Sequence, residues 1–361
     1  MPRRNGNSSR DWRFASPNAV DVSRAPISEA RVGVVVIGRN EGERLKACLR
    51  SIPPGSDVVY VDSGSSDGSV AFAEGMGFQT VALDTSKGFT AARARNAGLE
   101  RLTTSKLDFV QMVDGDCELD LGWIDAALAA FVDEPDLAVV FGRRRERFPD
   151  RSIYNRLCDE EWDVPVGDAR SCGGDALFRL APLLKAGGYN GDIIAGEEPD
   201  LCLRLRQAGW RIRRIGVEMT RHDAAMTHFS QYWRRSKRSG HAFAELHQRH
   251  SAEPRWRAQV SSITLWGGVL PGLIVLLALA ALLRPAFGWG ASLLLLVYPL
   301  QVARIGWRKY RSGEPFGFAF ASAFFLMLGK LPQLSGVLLY RRTRAAAKAP
   351  TIIEYKGSGG A

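Results

Sequence analysis

The sequence has few cysteines and few histidines, five of each among 361 residues. No two cysteines form a C-x-x-C pair, which argues against a disulfide framework and against a zinc site built from cysteines. The histidines show no spacing typical of a metal site. We therefore expect the cysteines to be small thiols within a hydrophobic core.

Acidic residues are scarce in the C-terminal part of the chain. Residues 221–361 contain 19 Lys+Arg and 5 Asp+Glu, whereas residues 1–220 contain 29 and 33, so the net charge of +10 comes from the C-terminal part. A nucleic-acid-binding protein usually carries its basic patch on its folded domain. Here the basic residues share their segment with the most hydrophobic runs. This pattern argues against a nucleic-acid partner and favours membrane lipid, which contributes about 1 kcal/mol for each basic residue near an anionic surface.

Residues 1–30 lack an apolar run long enough for the core of a signal peptide. Nothing in this segment directs the following domain across a membrane. Its Pro, Ser, Asn and Arg residues follow no apolar period, which predicts a disordered N-terminal tail.

Residues 31–220 alternate short apolar runs with amphipathic segments, which is the pattern of an α/β domain. Runs rich in Val, Phe and Ile predict buried strands. A further helix carries Leu201 and Leu205 on one face and is expected to end at Gly209. The predicted strands are residues 32–37, 58–61, 80–83, 109–113 and 137–141, and the predicted helices are residues 43–51, 69–74, 89–102 and 123–131.

Residues 258–340 have the composition of a membrane region. Residues 258–283 contain no charged residue, and residues 285–303 form a second uncharged stretch. A spanning helix needs about 20 apolar residues, so we expect spans at about 260–283 and 285–304. The alternative is the helical core of a soluble domain, which two nearly adjacent uncharged runs of this length disfavour.

The basic residues around these runs predict the orientation. They are dense in residues 221–257, which we expect to form basic amphipathic helices at the membrane interface, and again in residues 341–361, a basic tail. By the positive-inside rule both lie in the cytoplasm, so the protein is expected in the inner (cytoplasmic) membrane with its α/β domain on the cytoplasmic side. A third segment, residues 315–340, then has both ends on one side. We expect a re-entrant or in-plane helix bent near Lys330 and Pro332; a third full crossing is the alternative.

Two carboxylates follow the predicted strand at 109–113. Asp114 and Asp116 are separated by one glycine and lie where open α/β sheets bind ligands. Such a pair suits Mg²⁺ or Mn²⁺, which take oxygen ligands and share them with a diphosphate. Taken alone, the pair also fits a solvated turn.

Other polar residues follow the first two predicted strands and begin the third predicted helix. The groups are Arg39, Asn40 and Glu41; Asp62 and Ser63; and Arg93, Arg95 and Asn96. Side chains of this kind suit a bound diphosphate. The alternative for Asp62 and Ser63 is a turn that caps the next helix, and the alternative for Arg93 and Arg95 is ordinary surface charge.

Taken together, residues 32–213 resemble an inverting family-2 glycosyltransferase of the GT-A fold, a Rossmann-like mixed sheet flanked by helices. The resemblance rests on the order and spacing of several short motifs. These are Gly38-Arg39-Asn40-Glu41, Val61-Asp62-Ser63-Gly64-Ser65-Ser66-Asp67-Gly68, Ala94-Arg95-Asn96-Ala97-Gly98, Asp114-Gly115-Asp116, Cys172-Gly173-Gly174-Asp175, Gly187-Gly188-Tyr189 and Gly196-Glu197-Glu198-Pro199-Asp200.

The resemblance implies a nucleotide-sugar donor and a role for each motif. By the resemblance, Asp62 contacts the base or ribose and Asp116 is the closer metal ligand with Asp114 beside it. His222 is a candidate for a further metal or diphosphate contact, and an ordinary hydrogen-bonding role is the favoured alternative. The family's base aligns with Glu198, with Glu197 in reserve; helix capping is the alternative for both acids. Asp200 is expected to be structural.

The acceptor side departs from the family pattern. Gly174 and Asp175 occupy the acceptor-contacting motif, where many relatives have Asn in place of Asp175. Trp233 and Arg234 lie in a Gln-x-x-Arg-Arg sequence that is similar to the Gln-x-x-Arg-Trp of processive synthases and are also acceptor candidates. With two clear spans, a polymer-conducting channel is not expected.

These expectations describe a membrane-bound, metal-dependent, inverting glycosyltransferase. It transfers sugar from a nucleotide-sugar donor to a lipid-linked acceptor in exopolysaccharide or envelope glycan synthesis, with other polysaccharide-assembly proteins as candidate partners. Two alternatives stay open: a polyprenyl-phosphate sugar synthase, and a non-catalytic membrane scaffold that binds nucleotide sugar.

Overall fold

A computed structural model describes residues 30–103, 106–132 and 134–346. The predicted N-terminal tail, apart from Ala30, and residues 347–361 of the predicted basic tail lie outside these ranges.

The α/β domain is built on a nine-stranded mixed sheet, as the sequence predicted. The strands are β1 Val32–Gly38, β2 Asp57–Asp62, β3 Gln79–Ala82, β4 Phe109–Asp114, β5 Cys117–Leu119, β6 Leu137–Glu146, β7 Gly167–Asp168, β8 Ala176–Arg179 and β9 Arg211–His222. Within the described residues, the strand order is β3-β2-β1-β4-β8-β6-β9-β5, and β7 pairs with β9. Strands β1, β2, β3 and β4 run parallel to one another, and β8 is antiparallel to both β4 and β6.

Helices flank this sheet and continue beyond it into the C-terminal region. They are α1 Glu43–Ser51, α2 Ser69–Gly75, α3 Ala91–Leu102, α4 Trp123–Ala129, α5 Ile153–Trp162, α6 Leu180–Lys185, α7 Glu197–Gln207, α8 Phe229–Arg249, α9 Pro254–Thr264, α10 Leu270–Ala280, α11 Ala286–Arg311, α12 Phe316–Leu328 and α13 Lys330–Ala345.

The central strands are short apolar runs because both faces of the sheet are covered. Residues 34–36 of β1 are at most 1% exposed, and residues 110–113 of β4 are equally buried. The parallel register pairs Gly38 with Asp62 and Ile37 with Asp114. The polar residues that follow β1, β2 and β4 therefore share one edge of the sheet.

One strand is longer than the sequence predicted, and another was not among the predicted strands. β6 continues past residue 141 to Glu146, and the unpredicted β9 runs to His222, two residues beyond the expected domain boundary at 220. The end of β6 and most of β9 are rich in charged residues, so no apolar run marks them. They are strands because β6 and β9 pair in parallel through residues 137–146.

Three helical segments are long and apolar enough to cross a membrane: Pro254–Ala280, Ala286–Arg311 and Phe316–Ala345. The first includes a π-helical turn at Leu265–Val269. The third joins α12 to α13 through Gly329, whose backbone stays in the right-handed helical region. The backbone is helical on both sides of Gly329, and whether residues 315–340 re-enter, lie in the membrane plane or cross it stays a prediction.

Helix α8 packs closely on α13. Its residues Tyr232, Ser236, Gly240 and Ala244 repeat every four positions and are all buried. A Cβ atom at Gly240 would collide with the backbone of Gln333, so the two helices approach within backbone contact. Small residues allow such close crossings. The basic region after the domain is therefore an amphipathic helix attached to the third apolar segment.

Candidate active site

A cavity of about 370 Å³ opens where β1 and β4 end. Its lining includes the residues after β1, the start of α3, and Asp114, Gly115 and Asp116. Side chains of α5 and α8 complete it. Gly115 is needed here because a Cβ atom would lie 3.0 Å from the carbonyl oxygen of Ile37.

Asp116 and His222 come together in the wall of this cavity. His222 Nε2 lies 3.1 Å from Asp116 Oδ2, and both residues are buried. The antiparallel pairing of Cys117 with His222 brings β9 to this point. On its other side, His222 Nδ1 lies 3.9 Å from Glu146 Oε2, which is too long for a hydrogen bond. An imidazole nitrogen beside a carboxylate oxygen fits a divalent cation such as Mn²⁺.

Asp114 is held by arginines. Its Oδ1 accepts a hydrogen bond of 2.7 Å from Arg95, and its Oδ2 lies 3.7 Å from Arg144 Nη2. Asp175 supports the same residue from behind, since its Oδ1 accepts from the Asp114 amide at 2.9 Å and its Oδ2 pairs with Arg144 at 2.7 Å. The two carboxylates of the Asp-Gly-Asp motif therefore have different surroundings.

Arg95 joins this motif to the Glu-Glu pair. Its Nη1 donates to Glu197 Oε1 at 2.8 Å while its Nη2 binds Asp114. Burial by itself lowers the pKa of Arg95, because it disfavours the charged guanidinium. The negative charges of Asp114 and Glu197 outweigh this effect, so the pKa of Arg95 is raised overall. Arg95 thus stays charged and fixes segments that are 102 residues apart in sequence.

Glu198 lies beside the cavity rather than among the residues that line it. Its Oε1 accepts hydrogen bonds from the Cys172 amide at 2.5 Å and from the Cys202 thiol at 2.9 Å. Burial raises the pKa of Glu198, and the hydrogen bonds from Cys202 and Cys172 oppose that shift. Helix α7 begins at Glu197, so both acids lie in its first turn, as expected.

The Cys172 loop connects Glu198 to Asp114. Gly174 approaches Asp114 so closely that a Cβ atom there would lie 2.5 Å from its Oδ2. The thiols of Cys172 and Cys202 are 3.6 Å apart, and burial raises the pKa of Cys202 to about 11. All five cysteines are buried free thiols, which confirms that expectation.

The loops after β1 and β2 bind each other. The Asn40 amide donates to Ser65 Oγ at 2.9 Å, and Asn40 Oδ1 accepts from the Ser66 amide at 2.8 Å. Asn40 has a φ of 53°, a conformation that Asn tolerates better than most residues. Asp62 Oδ2 accepts from the amides of Gly64 and Ser65, so this carboxylate organises its own loop.

The predicted site residues divide into two groups in the structure. Those that line the cavity are Arg39, Asn40, Glu41, Ser63, Asp114, Asp116 and His222. Those that lie outside its lining are Asp62, Arg93, Arg95, Asn96, Gly174, Asp175, Glu197, Glu198, Trp233 and Arg234.

Several of the second group have structural partners instead. Asn96 binds the backbone of Tyr189 through both its amide nitrogen and its carbonyl oxygen, and Arg93 donates to the Asp84 carbonyl oxygen. Asp175 is fully buried behind Asp114, and Arg234 is exposed on α8.

The lining residues that sequence reasoning did not assign to the site include Arg144, Trp162, Arg235 and Arg238. Trp162 packs edge-on against His222, with 4.6 Å between ring centroids. No motif marks Arg144 or Trp162. The spacing of Arg235 and Arg238 does indicate that they act together, because residues three positions apart lie on the same face of a helix.

Comparison with known proteins agrees with this architecture. Residues 33–169 match the model of the family described as Glycosyl transferase family 2. The Pre-mycofactocin glycosyltransferase of Mycobacterium tuberculosis (strain CDC 1551 / Oshkosh) is 29% identical over 214 residues, covering 54% of this chain and 43% of that protein. An uncharacterised glycosyltransferase of Mycobacterium bovis is 28% identical over 198 residues, covering 52% and 84%. The chain therefore spans less than half the length of the first of these relatives.

Among solved structures, the chain is similar to a mannosyltransferase from Pyrobaculum calidifontis in complex with GDP-Man and Mn²⁺. The TM-score is 0.56 at 21% sequence identity, over 81% of this chain and 86% of that one. This likeness concerns the fold. With the family match over residues 33–169 and the mixed sheet, it supports a family-2 glycosyltransferase domain of the GT-A fold.

Proposed function

We propose that the protein is a membrane-bound, metal-dependent, inverting glycosyltransferase that moves a sugar from a nucleotide-sugar donor to a lipid-linked acceptor. The observation that carries this proposal is the Arg95 guanidinium, which binds Asp114 and Glu197 at once. The donor-side carboxylates and the Glu-Glu pair therefore belong to one site. If the donor-side carboxylates and the Glu-Glu pair lay in separate sites, the domain could bind a donor but would have no general base near it.

The donor is expected along the β1 edge of the cavity, where Arg39, Asn40 and Ser63 line the wall. Asp116 and His222 would hold Mn²⁺ or Mg²⁺, with Asp114 beside them. The ion, when bound, offsets negative charge on the departing nucleoside diphosphate. The chain's own contribution is the rigid placement of these ligands by β4, β5 and β9.

Glu198 is the proposed general base. It takes the proton from the acceptor hydroxyl as the oxygen attacks the anomeric carbon from the face opposite the leaving diphosphate, which inverts the configuration. Burial raises its pKa towards the range in which a carboxylate is an effective base. Glu197 is bound to Arg95 and is the reserve candidate.

The acceptor is proposed to come from the membrane. Three apolar helical segments follow the domain, and α8 ties the domain to the third of them. By the positive-inside rule the domain faces the cytoplasm of an inner membrane, and α13 lies in the membrane plane or crosses it. A glycan carried on a lipid, as in exopolysaccharide or envelope synthesis, is the substrate class that this arrangement suits.

The test is Glu198→Gln in the full chain, purified in detergent. Donor hydrolysis and transfer are screened across nucleotide sugars, GDP-Man among them, with and without Mn²⁺. We expect turnover to fall by about 10²- to 10⁴-fold while donor binding, measured by calorimetry, is retained. Glu197→Gln is the comparison variant, and a larger loss there would make Glu197 the base.

Two other outcomes would overturn the proposal. Near-normal turnover of Glu198→Gln favours a polyprenyl-phosphate sugar synthase, whose phosphate nucleophile is already ionised. Donor binding without turnover for the unmodified protein across all acceptors favours a non-catalytic scaffold.

A further inference from the structure

The α8 end of the cavity, defined as the part of its lining that α8 contributes, has its own chemistry. Arg235 and Arg238, one helical turn apart on α8, line this end. Apolar side chains line the wall around them, including Ile194 and Met226. The result is a pair of guanidinium groups within a largely apolar wall.

The contacts of these arginines include two weak ones. Arg235 pairs with Glu161, whose side chain is 58% exposed, and exposed ion pairs contribute little because water screens them. Arg238 donates to the Ile194 carbonyl oxygen at a long 3.3 Å. An incoming anion that accepts charge-assisted hydrogen bonds from both guanidinium groups competes well with such contacts.

This end of the cavity adjoins the membrane-type helices. On α8, the Tyr232 hydroxyl donates to the Phe325 carbonyl oxygen of α12. On α5, which also lines the cavity, Tyr154 packs edge-on against Phe325 with ring centroids 5.5 Å apart, and Arg156 lies 4.1 Å over the Phe318 ring. Arg235 and Arg238 therefore lie in the same cavity lining as Asp116, on a helix that contacts the membrane-type helices.

We propose that Arg235 and Arg238 bind the phosphate or diphosphate group of an acceptor whose apolar chain stays against α12. This inference rests on the proposed function and assigns the acceptor class for the same site. The donor diphosphate is assigned elsewhere, beside Asp114 and Asp116. Planar guanidinium groups suit phosphate oxygens, and the apolar wall suits a hydrocarbon chain.

The experiment measures binding to the full chain in detergent by calorimetry. The lipid probe is farnesyl phosphate, with farnesol as its uncharged counterpart; the nucleotide probes are UDP and GDP, each with Mn²⁺. We expect farnesyl phosphate to bind at least about 10-fold more tightly than farnesol. Arg235→Ala and Arg238→Ala should each weaken farnesyl phosphate binding by about 10- to 100-fold without changing nucleotide affinity.

Lys237→Ala is the matched control, because Lys237 lies on the same helix but is not among the residues that line the cavity. It should change farnesyl phosphate affinity less than about twofold, whereas Arg235→Lys and Arg238→Lys should recover part of the loss. Unchanged unfolding midpoints show that the variants fold. None of these readouts needs turnover, so this inference and the proposed function can fail separately.

Three results would overturn the inference. Equal binding of farnesyl phosphate and farnesol removes the anion site. Loss of nucleotide affinity in Arg235→Ala or Arg238→Ala assigns the arginines to the donor. A loss confined to Arg234→Ala moves the acceptor contact to the exposed face of α8.

Discussion

His222 Nε2 lies 3.1 Å from Asp116 Oδ2, although the two residues are far apart in sequence. The pairing of β5 with β9 creates this contact, and it is the structural basis of the proposed metal site. The cluster also contains the Cys117 sulfur within 4.8 Å of the other two groups. Hard divalent cations prefer the oxygen and nitrogen donors to the thiol.

Replacing His222 should weaken metal binding directly. We expect His222→Asn to raise the dissociation constant for Mn²⁺, measured by electron paramagnetic resonance with GDP or UDP present, by at least about 10-fold. Asp116→Asn should have the larger effect because it removes a charged ligand. His247→Gln on α8 is the control and should bind Mn²⁺ normally. Unaltered Mn²⁺ affinity in His222→Asn would remove His222 from the site.

Arg95 should be essential for stability as well as for the site. It is 2% exposed and separates the like charges of Asp114 and Glu197. Arg95→Met removes the cation that these two partly buried carboxylates share and leaves Arg144 as a more distant partner of Asp114, so we expect the free energy of unfolding to fall by about 1–3 kcal/mol in denaturant titration. Adding Glu197→Gln should recover part of that loss, because one of the two charges is removed.

The control for this experiment is Arg101→Met, which removes an exposed arginine from the same helix and should change stability by less than about 0.5 kcal/mol. Equal losses in the two variants would mean that Arg95 does not act by neutralising this pair.

Cys202 should tune the pH dependence of the reaction. Its thiol donates to Glu198 Oε1 at 2.9 Å, and this hydrogen bond lowers the pKa of Glu198 against the upward effect of burial. A general base works when deprotonated, so activity is lost as pH falls through its pKa. Cys202→Ala removes the donor, raises the pKa of Glu198, and should move the acidic limb of the kcat profile to higher pH.

Cys202→Ser keeps a donor of similar geometry and should leave that limb near its original position. A purely structural role for Cys202 predicts lower activity at every pH with no movement of the limb, and that result would contradict the prediction.

The crossing of α8 and α13 should tolerate no side chain at Gly240. A Cβ atom there collides with the Gln333 backbone, so Gly240→Ala forces the helices apart. We expect the unfolding midpoint in detergent to fall, with a loss of about 1–3 kcal/mol. Gly272→Ala in α10 is the matched control, since no atom lies within 4 Å of the added carbon. Equal midpoints for the two variants would show that the crossing is not tightly packed.

The local sequence was sufficient for the first half of the domain. Residues 32–37, 58–61 and 109–113 are strands as predicted, because each is a short apolar run buried on both faces. Helix α3 begins at Ala91 rather than at 89, since the Thr90 side chain caps it by accepting from the Arg93 amide. Such differences are small because hydrophobic period and capping chemistry act between near neighbours.

The sequence by itself determined the parallel strands, the polar groups at their carboxyl ends and the apolar C-terminal helices, because these features depend on local pattern. Only the tertiary structure decided that Asp116 meets His222, that Arg95 binds Glu197, and that Arg235 lines the cavity where Arg234 does not. Each of these depends on strand pairing or on the rotation of a helix about its axis. Both are fixed by contacts between distant segments, which no local pattern contains.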